Sequence, residues 1–519
     1  MALEKNTNNN VIEDAALVRV RYSTIINYIG QLYWLIASIA FTIIVTRKLT
    51  VEEYGLFSTI MGLYNVIIFV YAFWCIWIVR NYARRSYRIV STAFALNIIY
   101  APIGSLIIII MGYKYNQLLG YGFTAFTIAS LLIVLESFNR YLRSIAMGSR
   151  PFIDGKVVFI RGTVRVIAVY IFVATLLYGL TGVIYSIVIS GFAAVLSYYA
   201  LLKYYGIYIP TPKIYRDGLK RIFKNSYISL VTVLSGLLAY IERPLLTTVT
   251  LNTMAAAYLG VSYIPRSVIL RSSQALTSGL VAKLLRIPSR NDVEDVLRIT
   301  FIINIGMAFL LIILSVPILS LFREEYVNAQ ILFIFFVLES LLVTVSNILG
   351  VTAKATEKKD MYDYGLSLIE TPLFKIPLAM LFRNLISIIL ATTTMIIMIM
   401  RGINDPILMA LPYSISWFIT AIPLLIYMYK QARMKLEFKI PWKELISAII
   451  AGLSASIYLH LSGAPEYSIK SFWLDTPVLL VHILVGVTMY FGILYLMSSW
   501  VRTYIKKIIK LYIMKNNRK

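Results

Sequence analysis

Apolar runs of 18 to 25 residues recur along the whole chain. Each is long enough to cross the hydrocarbon core of a bilayer as a helix. Backbone amides inside a bilayer must be paired within the protein, so such a chain forms either a helix bundle or a closed barrel. Barrel strands alternate apolar and polar residues over about ten positions, and these runs do not. The fold class is therefore an all-α polytopic membrane protein. Composition agrees: of 519 residues, 59% are hydrophobic and 14% charged, where a soluble domain carries about 25% charge.

Fourteen spans are expected, at 22–46, 55–79, 89–113, 119–140, 157–178, 180–202, 225–250, 254–282, 298–322, 327–352, 365–400, 407–429, 444–462 and 474–499. The eleventh is ambiguous. Glu370, Pro372, Lys375, Pro377 and Arg383 suggest an interfacial or cytoplasmic piece followed by a short, kinked span.

The net charge of +25 raises the question of a nucleic-acid partner. Its distribution answers it. Alternate connectors, with both termini, hold 36 Lys and Arg, whereas the opposite connectors hold only Arg47, Lys48, Lys114, Arg323, Arg401 and Lys470. That asymmetry places both termini in the cytoplasm and an even number of spans between them. The bases face anionic membrane lipid, and no nucleic acid is expected.

A polar stretch, 1–21, precedes the first span and lacks the pattern of a cleavable signal. The longest connector, 205–224, reads as a linker between an N-lobe of six spans (22–204) and a C-lobe of six (225–430). Two further spans occupy 431–499, and a basic tail follows at 500–519. Two six-helix bundles with the site between them is a common transporter plan. Cys75 is the only cysteine, and His460 and His482 stand far from it, so no metal site or cofactor is expected. No catalytic residues are identified, no D-x-D motif is present, and a P-loop is absent, so direct ATP hydrolysis is not expected.

On the first span Asn27, Gln31, Trp34, Ser38 and Thr42 share one helical face. The seventh carries a similar stripe that includes Tyr240 and Arg243, and Arg266 lies on the polar face of the eighth. Polar stripes in hydrocarbon must face protein or water. Substrate-binding candidates are accordingly Arg266, Arg243, Arg165, Arg161, Asn27, Gln31, Trp34 and Tyr240. Arg suits a phosphate, which it grips with two parallel hydrogen bonds. Glu136, Glu242 and Glu339, acids at membrane depth, either balance these cations or take up a coupling ion.

Just after the first span, "RKLTVEEYGLF" (47–57) resembles the R-x-L-x-x-x-x-Y-G signature of the polysaccharide-biosynthesis flippases. These form the Wzx-like branch of the superfamily that also contains MATE exporters and lipid II flippases. "YGLTGVIYSIVIS" (178–190) resembles that family's turn between spans five and six, and Arg165 in "FIRGTVRVIAVYI" matches a basic position of span five. The resemblance covers residues 20 to about 205. It implies a fourteen-helix, V-shaped transporter working by alternating access in the cytoplasmic membrane. The implied substrate is a polyprenyl- or dolichyl-(pyro)phosphate-linked oligosaccharide moved to the outer leaflet, with glycan assembly enzymes as possible partners. Alternatives are a lipid II-type flippase, a MATE-like small-molecule exporter and a polytopic glycan-processing enzyme.

Overall fold

A computed structural model describes residues 20–83, 85–120, 122–224, 226–271, 280, 284, 289–357 and 369–503. Most of the expected N-terminal stretch and basic tail, part of the eighth span and the connector 358–368 lie outside these residues. All regular secondary structure among the described residues is helical. The chain forms two compact units, Met1–Ala256 and Ala257–Lys519.

In the first unit the helices are α1 (Val20–Lys48), α2 (Val51–Phe69), α3 (Ala72–Ala83), α4 (Tyr87–Leu119), α5 (Phe123–Ser149), α6 (Phe152–Val169), α7 (Gly179–Tyr204), α8 (Arg216–Lys224), α9 (Ser226–Tyr240) and α10 (Glu242–Thr250). A π-helical turn, Tyr170–Thr175, follows α6. Helix α11 (Thr253–Ser262) runs on into the second unit. There follow α12 (Arg290–Ile313), α13 (Ser315–Phe322), α14 (Gln330–Ala355), α15 (Pro372–Met400), α16 (Pro406–Lys435), α17 (Trp442–Leu461) and α18 (Phe472–Met497).

Eleven helices among the described residues are long and apolar enough to cross a membrane, or twelve if α8 and α9, bent by 68° to one another, count as one span. The remaining expected spans differ for visible reasons. The second is split between α2 and α3, the seventh between α9 and α10, and the eighth runs into residues outside the described set. The eleventh is settled as one helix of 29 residues, not an interfacial piece with a short span. Pro372 stands in its first turn, where no backbone N–H is needed. Pro377 removes one further hydrogen bond without breaking the helix.

Membrane helices associate by close packing rather than by the hydrophobic effect, and small residues permit it. Helix α1 crosses α6 where Gly30 faces Gly155, so closely that a side chain at 30 would meet the Gly155 carbonyl at 2.7 Å. One turn on, the Tyr33 ring lies tilted against Phe159 with centroids 4.0 Å apart, and its hydroxyl hydrogen-bonds Thr163 at 2.7 Å. Helices α9 and α10 pack on α2: Thr59 Oγ1 and Thr247 Oγ1 are 2.7 Å apart, and Gly62 faces Pro244.

The connector "TRKLTVEEYGLF" is explained by this packing. Thr50 caps α2 by accepting from the Glu53 amide, and the Glu53 carboxylate accepts from the Thr50 amide. Both orphan donors are satisfied, and the two acids sit at the positive end of the helix dipole. Gly55 then abuts the backbone at Thr253, where an added Cβ would stand 1.9 Å from the carbonyl oxygen. Gly55→Val should therefore destabilise the first unit by about 2–3 kcal/mol. Thermal unfolding in detergent measures this, and an unchanged midpoint would refute so close a crossing.

In the second unit α12 packs on α17 and α18. Gly452 receives Phe309, Gly306 receives Tyr490, and the Tyr490 hydroxyl donates to Ile302 O at 2.6 Å. A core of Leu297, Phe301, Ile348, Leu424, Met428 and Ala451 joins α12, α14, α16 and α17.

Candidate functional site

Among the described residues, each unit contains a cluster of interacting charges within its apolar helices. In the first unit it is built from α1, α5 and α6. The tight α1–α6 crossing brings Trp34 over α6, where Arg161 and Arg165 stand one turn apart. The two guanidinium carbons lie 5.7 and 5.6 Å from the Trp34 ring, and Arg165 also stacks on Phe41 at 3.7 Å. Glu136, near the middle of α5, holds Arg140 of its own helix at 3.2 Å. It reaches Arg161 only at 3.8 Å, and Tyr64 hydrogen-bonds to the same carboxylate. Arg161 Nε is buried without a hydrogen-bond partner. Glu136 is thus held firmly from one side, and Arg161 loosely by it. An anion offering two oxygens would find at Arg161 a half-buried guanidinium whose contact to Glu136 is long, with an aromatic face to orient it.

The second unit's cluster is closed by comparison. Arg266 lies on the helical stretch 264–271, Glu339 on α14, and Arg383 and Trp417 on α15 and α16. Glu339 is fully buried. Arg266 grips it with Nε and Nη2 at 2.5 and 3.2 Å, and Arg383 Nη2 reaches its other side at 2.5 Å. Arg383 also donates to Trp417 O at 3.0 Å. Both guanidinium groups stack on the Trp417 ring, at 5.3 Å for Arg266 and 4.5 Å for Arg383, and Arg266 lies 4.5 Å from the Tyr263 ring. Two cations share one carboxylate, so these three residues carry a net charge of +1. Ion pairs excluded from water persist only when their geometry is this complete.

The other predicted residues are distributed as follows. Gln31 is exposed on α1, one turn before Trp34. The side chain of Asn27 lies outside the described residues. Tyr240, Glu242 and Arg243 flank the break between α9 and α10. Tyr240 is exposed and packs on Phe69 with centroids 5.7 Å apart, Glu242 is buried, and Arg243 is half-buried. Arg243 belongs to the first unit and Arg266 to the second. Sequence reasoning did not single out Arg140, Tyr64, Phe41 or Trp417. Arg140 was visible as an i,i+4 partner of Glu136, and Arg383 as a charge inside a span. Nothing in the sequence joins Arg383 to Glu339, which stands 44 residues away.

The fold is similar to that of the lipid II flippase MurJ in an inward closed conformation, with a TM-score of 0.65 at 16% identity, covering 93% of this chain and 99% of that one. It is also similar to a multidrug resistance MATE family transporter of the MOP superfamily in its inward-facing conformation, with a TM-score of 0.60 at 14% identity over 77% and 95% of the two chains. A third structure, a MOP superfamily transporter from Pyrococcus furiosus described by the reverse polarity of its binding pocket, matches with a TM-score of 0.54 at 15% identity, over 80% and 95%. No protein-family model matches the sequence, and no curated protein does. The likeness is one of fold.

Proposed function

We propose that this protein is a Wzx-like flippase. It moves a polyprenyl- or dolichyl-(pyro)phosphate-linked oligosaccharide from the cytoplasmic to the outer leaflet of the cytoplasmic membrane by alternating access. The observation that carries the reading is the Arg161–Arg165 pair on Trp34. These two guanidinium groups stand at membrane depth over one aromatic ring, and the carboxylate that reaches Arg161 makes its short contact elsewhere. A phosphate arriving at Arg161 replaces the long contact to Glu136 and leaves Glu136 on Arg140, so the substrate charge is met without stranding the acid. The glycan then lies against Trp34 and the exposed Gln31, while the lipid tail stays in hydrocarbon. Glu136 is the acid best placed to link binding to a proton or cation, because its charge balance changes when Arg161 leaves it. Glu339 is held by two guanidinium groups and acts as a fixed counter-ion.

The 93% coverage of this chain by the MurJ fold favours a second reading within the same chemistry, a lipid II-type flippase. Reconstitution separates the two. Proteoliposomes loaded with a short polyprenyl-pyrophosphate oligosaccharide should show the glycan becoming accessible to an external lectin or glycosidase. If only lipid II moves, the second reading stands. If neither moves while a small organic cation is transported, the protein is an exporter and the proposal fails.

A further inference from the structure

A cavity of about 580 Å³ lies in the second unit, between α12, α14, α16 and α17. That volume is within the usual range for small-molecule sites, about 300–1,000 Å³. Its wall is almost wholly apolar, with Phe301, Leu342, Val345 and Leu425 among the lining side chains. Exposed Ile426, Trp442 and Ile449 stand at its edge. Two hydroxyls in the wall, of Thr300 and Thr344, are at most 1% exposed and have no hydrogen-bond partner. A helical threonine ordinarily donates to the carbonyl one turn back, as Thr352 does to Ile348.

The cavity is bordered by the connector between α16 and α17, which contributes Phe438 and Ile440 to the wall. Lys430, Arg433, Lys435, Lys439 and Lys443 are all exposed in and beside that connector, against one exposed acid, Glu437. Lys435 is engaged by Glu357 at 2.8 Å. The Lys439 amide is pinned to Glu294 at 2.9 Å, which fixes this stretch against the start of α12. Thr300 lies six residues further along α12, about 9 Å at a helical rise of about 1.5 Å per residue. An apolar slot, two unpartnered hydroxyls buried in its wall and a basic connector at its border thus adjoin one another.

We propose that this groove binds one chain of an anionic phospholipid from the leaflet on the basic side. The phosphate is met by Lys439 and Lys443, and the oxygens of the glycerol linkage accept from Thr300 or Thr344. The hydrocarbon wall alone would suit any lipid. The basic rim selects negative charge, and the unpartnered hydroxyls select a glycerolipid over a pure isoprenoid chain, which offers no acceptor along its length.

The test uses the full-length protein reconstituted with chain-spin-labelled phosphatidylglycerol or phosphatidylcholine, reading the motionally restricted lipid component. Wild type should prefer phosphatidylglycerol by fivefold or more, since each basic residue near the headgroups contributes about fivefold. Lys439→Gln/Lys443→Gln, two exposed changes, should bring the preference to parity. Val345→Trp should fill the groove and remove the phosphatidylglycerol excess, leaving the unselective restricted shell around the helices, with the unfolding midpoint kept as the control for folding. A preference unchanged in the double lysine variant overturns the proposal. So does displacement of the labelled lipid by polyprenyl phosphate but not by unlabelled phosphatidylglycerol, which would assign the groove to an isoprenoid tail.

Discussion

Glu339→Gln should be among the most damaging single changes this protein can suffer. The substitution keeps the volume and removes the one negative charge between Arg266 and Arg383, leaving two buried guanidinium groups to repel each other. Stranding a buried charge by deleting its partner costs about 3–5 kcal/mol, and here two charges are stranded together. The charge balance makes the comparison sharp. Removing Glu339 takes the cluster from +1 to +2, whereas Arg383→Gln takes it to zero with the bidentate Arg266–Glu339 pair intact. Arg383→Gln should accordingly cost far less, and the double variant Glu339→Gln/Arg383→Gln should regain part of the loss. Unfolding midpoints of the three variants, measured in the same detergent, decide the matter. Equal stability of wild type and Glu339→Gln would show that the cluster is not the lock described.

The second large effect belongs to the first unit. Arg161→Gln/Arg165→Gln should reduce flipping in proteoliposomes at least tenfold while leaving the amount of folded protein nearly unchanged. Charge-assisted hydrogen bonds to a phosphate are worth about 1.5–3 kcal/mol each, or about ten- to a hundredfold. The structural loss is smaller, because the contact of Arg161 to Glu136 is long and the side chain is half-buried rather than sealed. Replacing both by lysine keeps the charge without the planar fork and should recover only part of the rate. Full flipping by the double glutamine variant would remove this pair from the substrate path and return attention to Arg243 and the broken seventh span.

The two clusters behave differently because of what surrounds each carboxylate. Glu136 is held by its i,i+4 partner and touches Arg161 at a distance, so its cation remains open to exchange. Glu339 is enclosed by Arg266, Arg383 and the Trp417 ring. An Arg at membrane depth marks a functional candidate in both cases, but only neighbours from other helices determine whether it is open to a ligand or committed to the fold.

The sequence alone was enough for the membrane class, the positions of most spans and the identity of every charge in them. Those properties rest on the length of apolar runs and on local composition, which a single chain displays directly. The capping of α2 by Thr50 and Glu53 lies within four residues, yet the expected span began only at 55 and the structure starts the helix at Val51. Only the tertiary structure decided that the seventh span breaks at Ile241, that the eleventh runs unbroken from Pro372, and that Gly55 marks a crossing with Thr253. It alone brought Arg266 to Glu339, 73 residues on, and Arg383 to the same carboxylate. Helical periodicity shows which face a charge occupies. It does not show which helix lies opposite, because that is set by side-chain packing between segments distant in the chain, and this packing leaves no local pattern to read.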